Sequence, residues 1–453
     1  MLLFMNIRFY KIIILNLLVI FFSCEKKMDQ VIVNYDNLFN KIKSDVSGID
    51  FNNSLKFSED LNIIEYLYFY NGGGVAVGDI NNDGLEDLYL SSNQGKDKLF
   101  INLGDFKFKD ISNSAGLDTL NTWSTGVSMA DVNGDGWLDI HVSKVGNYKT
   151  LKGHNLMYIN QKDGTFNELS EELGIDFSGF STQAAFLDYD NDGDLDMYLL
   201  NHNIHTPRNY TDVSKRLEKD SLSGDKFFEN KINEQEAKFV DVSESSGIFS
   251  SPLGYGLAIT TADVNNDGWV DLYVGNDFHE NDYIYINQKN KSFQEKSKDF
   301  LSHNSRFTMG VDIADMNNDK LLDIFTLDMM PFYRDIFLKS GGEDTDQVYK
   351  IKKSFGYEDQ YARNNFHLNR GNSKFTDIAL YNDTYSTDWS WSVLLEDFNN
   401  DGKNDIFISN GIYKRPNDLD YINYASDIDF RLFNKNNEKK FYENLIDKMP
   451  TLK

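Results

Sequence analysis

Six times along the chain the pattern D-x-[DN]-x-D-G-x-x-D recurs, each time leading into an alternating apolar strand. The copies are DINNDGLED at 79, DVNGDGWLD at 131, DYDNDGDLD at 188, DVNNDGWVD at 263, DMNNDKLLD at 315 and DFNNDGKND at 397, with starts 52, 57, 75, 52 and 82 residues apart. A unit of roughly 50 residues repeated at this period means one modular array of supersecondary units in place of two or three unrelated domains. Insertions enlarge the intervals after the third and fifth copies.

Each copy follows a Gly-rich apolar run, such as GGGVAVG before Asp79 and GYGLAITTA before Asp263. That run reads as a first strand, and DLYLSS, DIHVSK, DMYLLN, DLYVGN, DIFTLD and DIFISN read as second strands from their β-branched and aromatic content. A third strand follows in five units, LFIN (99–102), MYIN (157–160), FFEN (227–230), YIYIN (283–287) and FHLN (366–369). Fourth strands are expected to open at Phe106, Phe166, Phe239, Phe293 and Phe375. Four antiparallel strands per unit is the build of a propeller blade, so the fold class is all-β.

The nine-residue loop explains its own composition. Oxygen ligands at positions 1, 3, 5 and 9, with a carbonyl at 7 and Gly at 6 for the sharp positive-φ turn, can wrap one hard cation. Positions 1, 3, 5 and 9 are Asp79, Asn81, Asp83 and Asp87 in the first copy, and Asp131, Asn133, Asp135 and Asp139 in the second. They are Asp188, Asp190, Asp192 and Asp196 in the third, and Asp263, Asn265, Asp267 and Asp271 in the fourth. The last two copies supply Asp315, Asn317, Asp319 and Asp323, then Asp397, Asn399, Asp401 and Asp405. Leu85, Trp137, Asp194, Trp269, Leu321 and Lys403 would lend the carbonyls. All-oxygen ligands with flexible carboxylates favour Ca²⁺, up to six ions, over zinc, copper or magnesium. An EF-hand is excluded, because its twelfth-position Glu is replaced by Leu90, Val142, Leu199, Val274, Thr326 and Ile408. Lys320 stands where Gly belongs in loop five, at about 1 kcal/mol of left-handed strain.

Loop and flanking strands together resemble FG-GAP or VCBS repeats, as in integrin α-chain propellers and in cartilage acidic protein and its bacterial relatives. The resemblance covers about residues 70 to 415. It implies a propeller, commonly seven-bladed, with calcium at the hairpin joining the first two strands of each blade. It implies no particular ligand.

Residues 1–24 read as a targeting segment: Arg8 and Lys11 precede the apolar run Ile12–Phe22, too short for a comfortable membrane span. FFSC ends it, and Cys24 is the single cysteine. This resembles the lipobox of bacterial lipoproteins, although Phe21 and Phe22 depart from the preferred residues. It implies acylation at Cys24, export and an envelope or cell-surface location. Without a second cysteine no intrachain disulfide can brace the exported chain, which leaves bound ions as the expected reinforcement. The formal charge of −26, from 71 acids against 45 bases, argues against nucleic acid; six calcium ions would reduce it to −14. A monomer is expected.

The expected organisation is a signal peptide (1–24), a linker (25–37), an orphan outer strand with its lead-in (38–70), the propeller (71–415) and a polar, partly helical tail (416–453). Six units carry first and second strands but only five carry the third and fourth. LFNKIKSDVSGIDF (38–51) matches the fourth-strand segments elsewhere. We therefore expect the N-terminal portion of a longer, incomplete seven-bladed ring, with a six-bladed ring closed by residues 38–51 as the alternative.

The insertion NHNIHTPRNY offers His202 and His205 in an H-x-x-H pair with Arg208 and Tyr210, more readily loop residues capping the propeller face than a metal site. The second insertion, Leu327–Tyr361, reads as a partner-binding flap or a helix packed on the rim. No nucleophile elbow, phosphate loop or zinc helix is present. The expected function is a calcium-binding surface module for a protein or glycan ligand; a polysaccharide-acting enzyme on the same scaffold is the alternative.

Overall fold

The structure, a computed structural model, describes residues 38–117, 122–204, 211–428 and 438–451. The leader, Cys24, His205, Arg208 and Tyr210 lie outside the described residues. The chain divides into compact units of residues 1–41 and 42–453, and every strand belongs to the second.

Blade one is Val75–Gly78 (β1), Asp87–Leu90 (β2), Lys98–Asn102 (β3) and Phe108–Asp110 (β4). Blade two is Trp123–Ala130 (β5), Asp139–Val145 (β6), Leu156–Asn160 (β7) and Phe166–Glu168 (β8). Ser181–Leu187 (β9), Asp196–Asn201 (β10), Lys226–Lys231 (β11) and Lys238–Asp241 (β12) make blade three. Gly256–Ala262 (β13), Asp271–Asn276 (β14), Tyr283–Asn287 (β15) and Phe293–Glu295 (β16) make blade four. After Asn304–Ser305 (β17), blade five uses Gly310–Ala314 (β18) and Asp323–Leu327 (β19). Gln360–Tyr361 (β20) pairs in parallel with β17, and Asn365–Asn369 (β21) and Phe375–Asp377 (β22) complete blade five. Ser390–Glu396 (β23) and Asp405–Asn410 (β24) form a two-stranded sheet, while each of the other five blades is a four-stranded antiparallel meander.

Inner strands of successive blades pack side by side, β1 on β5, β5 on β9, β9 on β13, β13 on β18 and β18 on β23. Glycine permits this approach. A Cβ on Gly126 would stand 2.5 Å from the Thr182 carbonyl, and one on Gly310 2.5 Å from that of Trp391. In blades two to five the second strands bury both faces, and Tyr89, Tyr198 and Tyr273 are fully covered, so apolar side chains from neighbouring sheets interleave. A further cluster lies on the axis, where Leu61, Ile63, Tyr66, Tyr68 and Phe69 of the lead-in meet Trp123, Phe180, Leu257, Met309 and Trp389. The lead-in is thus a plug across the inner ends of the blades.

Three expectations change. The fourth strand of blade one opens at Phe108, not Phe106, which sits in the turn at φ 54°. In blades two, four and five the strand-opening Phe lies six residues beyond the Asn that ends strand three, and Phe108 keeps that spacing from Asn102. Residues 38–51 hold a four-residue helix, Ser44–Ser47, and no strand. Its capping Gly48, at φ 75°, lies against the Phe108 carbonyl, as Gly116, Gly174 and Gly247 lie against Phe166, Phe239 and Phe293 of the blade that follows each. Gly48 thus takes the place that the turn after strand four takes in blades one to three. The tail is less peripheral than its polarity suggests, since its helices Leu419–Ser426 and Glu438–Lys448 lead Tyr421, Ile446 and Met449 into the axial cluster.

The two insertions meet above blade four. The Val213 N–H donates to the Phe355 carbonyl at 3.1 Å, and Arg216 pairs with fully buried Glu280 at 2.6 Å. Helix Asp346–Ser354 begins at Thr345, whose Oγ1 accepts from the Val348 N–H, and buries Lys352 against Asp344. The second insertion is packed down on the propeller.

Candidate metal loops and axial cleft

All six loops take one backbone form. The first-position Asp accepts from the N–H groups of positions 5 and 6; in loop two these are Asp135 at 3.0 Å and Gly136 at 2.7 Å from Asp131. Loop five does the same with Asp319 at 3.1 Å and Lys320 at 2.7 Å from Asp315. Position 6 has positive φ throughout, 83° at Gly136 and 71° at Lys320. Position 4 has it too, as Asn82, Gly134, Asn191, Asn266, Asn318 or Asn400, residue types that tolerate the left-handed region. That second constraint went unread in the sequence, although Asn or Gly fills position 4 every time.

The ninth-position Asp is buried at the foot of strand two in the first five blades. Its Oδ2 accepts from the position-2 N–H, as from Val132 to Asp139 at 3.2 Å. Its Oδ1 accepts from the backbone N–H of the Asn at or next to the end of strand three: Asn102, Asn160, Asn230, Asn287 or Asn369, at 2.7 to 2.9 Å. In blades two to five the Nδ2 of that Asn then reaches the preceding blade, from Asn160 to the Ile80 carbonyl at 2.8 Å and from Asn230 to that of Val132 at 2.8 Å, whereas Asn102 donates to the Glu86 carbonyl of its own loop. Loops two to five are therefore each clamped to their own third strand and to the loop before. This role of Asn, legible only as a repeated letter, was missed by sequence reasoning. Asp405 of blade six lacks the strand-three contact; its Oδ2 is buried and unpaired.

Burial, with the loop's other carboxylates adding to it against the two N–H donors, pushes Asp139 and Asp271 up to about 7, Asp323 up to about 6 and Asp196 up to about 8. A cation beside these groups would reverse that shift. The donors present fit calcium. In loop three, ligand oxygens of Asp188, Asp190 and Asp196 lie within 4.8 Å of one another, close enough to share one ion. In loops four and six, Oδ1 of Asn265 and Asn399 is buried without a hydrogen-bond partner, at the third ligand position. Lysines already offset part of the charge, Lys162 on Asp135 and Lys289 on Asp267 at 3.3 Å and Lys291 on Asp190 at 2.6 Å. Trp137 and Trp269 are half-buried beside their loops.

The opposite ends of the inner strands carry a cleft of about 370 Å³. Tyr68, Tyr70, Phe278, Phe307, Trp389 and Trp391 wall it, with Asn71, Asp277, Arg306 and Asn417 as its polar members. Sequence reasoning found none of these residues, because they come from the lead-in, from blades four to six and from the tail. His202 lies deeper and is already engaged, Nε2 with Tyr66 Oη at 3.0 Å and Nδ1 with Thr182 Oγ1 at 3.2 Å, and burial pushes it down to about 3.

The FG-GAP-like repeat model matches residues 79–142, 146–199, 233–326 and 355–408, together more than half of the chain. The chain belongs to the FG-GAP-like repeat family. Among curated relatives, cartilage acidic protein 1 of Xenopus tropicalis is 29% identical over 207 residues, 45% of this chain and 28% of that protein. Integrin alpha-3 of Cricetulus griseus is 37% identical over 81 residues, 16% of this chain and 8% of its own. The matched FG-GAP stretch thus spans less than a third of either relative. Among solved structures, an Agrocybe aegerita lectin that recognises non-reducing terminal N-acetylglucosamine aligns at 14% identity over 74% of this chain and 73% of its own, TM-score 0.42. The V. cholerae biofilm matrix protein Bap1 aligns at 14% identity over 58% of this chain and 36% of its own, TM-score 0.31.

Proposed function

We propose that this FG-GAP chain is a calcium-loaded binding module of the bacterial envelope, exported, acylated at Cys24, and holding a protein or glycan ligand at its axial face without turning it over. The observation that carries the reading is the axial cleft, where six aromatic side chains and four polar ones converge at the ends of the strands away from the loops. Convergent aromatic and polar groups in a concavity are what a binding site needs. Calcium then acts at a distance: it stiffens the far ends of the blades and so fixes the spacing of the cleft walls.

Turnover of a polysaccharide is the weaker reading. Glycoside hydrolysis commonly uses two carboxyl groups flanking the bond, and among its described lining residues the cleft offers one, Asp277, whose Oδ1 accepts from the Phe278 N–H at 2.9 Å. The test is equilibrium binding of the calcium-loaded chain to extracellular proteins and polysaccharides, followed by product analysis. Saturable binding, weakened by Trp391→Ala and with no new chain ends, is expected; cleavage that depends on Asp277 would replace this reading with the enzymatic one.

A further inference from the structure

We infer that the axial cleft takes a neutral pyranose unit of a glycan, stacked on Trp391 and hydrogen-bonded through its hydroxyls. This rests on the binding reading above and narrows it to one ligand chemistry. Trp391 is half-buried, and its Nε1 donates to the Gly411 carbonyl at 2.7 Å, which fixes the plane of the indole. Tyr70, also half-buried, belongs to the same wall. A pyranose presents an apolar C–H face to such rings and a rim of hydroxyls that both donate and accept.

The rim finds partners here. Trp389 is 7% exposed and its Nε1–H has no hydrogen-bond partner; neither has the buried Nε–H of Arg306 or the buried Oδ1 of Asn417. All three residues line the cleft. A buried polar group left unpaired costs about 1–3 kcal/mol, so a ligand or water with hydroxyls is favoured over an acyl chain, which would leave all three unpaired. Charge decides the rest. The Arg306 guanidinium is neutralised by Asp344 at 2.6 Å and donates to the Gly342 carbonyl. Asp277 is engaged by the Phe278 N–H and by Tyr68 Oη at 3.4 Å. Among the described residues that line the cleft, no spare positive group is offered to a sulfated or uronic acid sugar, and the chain carries −26 overall.

The experiment is calorimetric titration of the full chain in calcium with neutral mono- and disaccharides, with a sulfated disaccharide, and with dodecanoate as an apolar probe. A neutral sugar should bind; Trp391→Ala should weaken it at least about tenfold, as for a central aromatic anchor. Trp389→Phe keeps the ring and removes only the N–H, and should weaken it by about fivefold, the worth of one hydrogen bond. Tyr381→Ala, a 91%-exposed side chain away from the cleft, should change nothing. Saturation by dodecanoate, or by a peptide, in a manner sensitive to Trp391→Ala but with no sugar binding would overturn the glycan assignment and leave the binding module standing. Preference for the sulfated sugar, or sugar binding insensitive to both tryptophan substitutions, would also overturn it. Folding of each variant is checked by its melting temperature in calcium.

Discussion

Tyr198 Oη donates to Asp225 Oδ2 at 2.7 Å, while Asp225 Oδ1 accepts the Asn201 N–H at 2.8 Å and so caps the end of strand two. Tyr89 with Asp97 and Tyr273 with Asp282 repeat the arrangement at 3.0 and 2.7 Å. In blades two and five the residue equivalent to Tyr198 is His141 or Phe325, which brings no phenol hydroxyl. There the cap is an amide: Asn155 accepts from Lys144 N–H and Asn364 from Asp328 N–H. A carboxyl with two accepting oxygens stands where two donors converge, and an amide where one does.

The pairing predicts a double-mutant cycle. Tyr198→Phe leaves Asp225 Oδ2 buried without its donor and should cost about 1–3 kcal/mol. Adding Asp225→Asn, the combination blade five already uses, should recover much of that loss. Denaturant unfolding of the two single variants and the double variant measures the coupling, and simple additivity would contradict the cap.

The same carboxyl sets a pH dependence. Burial pushes Asp225 up to about 7, above an ordinary value near 3.9. A raised carboxyl favours the protonated fold, so its contribution is full below about pH 4 and lost as pH rises towards 7. Asp225→Asn should therefore gain on the wild type between pH 4 and 7 and hold that gain above 7. Melting scans of both proteins in chelator check it; a difference that shrinks with rising pH would refute it.

Calcium removal should lower the melting temperature. One site at a hundredfold excess of ion over Kd stabilises by about 2.7 kcal/mol, and indifference to EGTA would remove the ion assignment. Within that background, Asp139→Ala should still destabilise in EGTA, because Asp139 also clamps Asn160 and Val132. Asp405→Ala, which has no strand-three clamp, should matter chiefly in calcium.

Lys320 holds φ 71° at the turn where the other five loops use Gly. Lys320→Gly should stabilise the chain by about 1 kcal/mol and tighten loop five for its ion. Thermal unfolding with and without calcium reads both effects.

Blade six should tolerate what its neighbours do not. Phe407 of β24 is 41% exposed, whereas Tyr273 at the same place in β14 is fully buried. Phe407→Ala should change stability by less than about 1 kcal/mol, and Tyr273→Ala by about 3–5 kcal/mol, as for a core aromatic. Equal losses in urea unfolding would mean that the flank of blade six is covered in solution.

The sequence alone determined the blades and the loop geometry, because both are local. Alternation sets strands, and acids spaced two apart before Gly set a turn whose first Asp caps its own backbone within five residues, as Asp131 does with Gly136. What it could not decide were features made by residues distant in the chain: the Asn160 clamp on Ile80, the lead-in plug, and a cleft assembled from Tyr68, Asp277, Arg306 and Trp391. Those depend on which blade edges and loops come to lie around a common axis, and no local spacing encodes that neighbourhood. The turn at Gly48 marks the boundary between the two: its motif is local and readable, whereas its place against the Phe108 carbonyl is set by the tertiary structure.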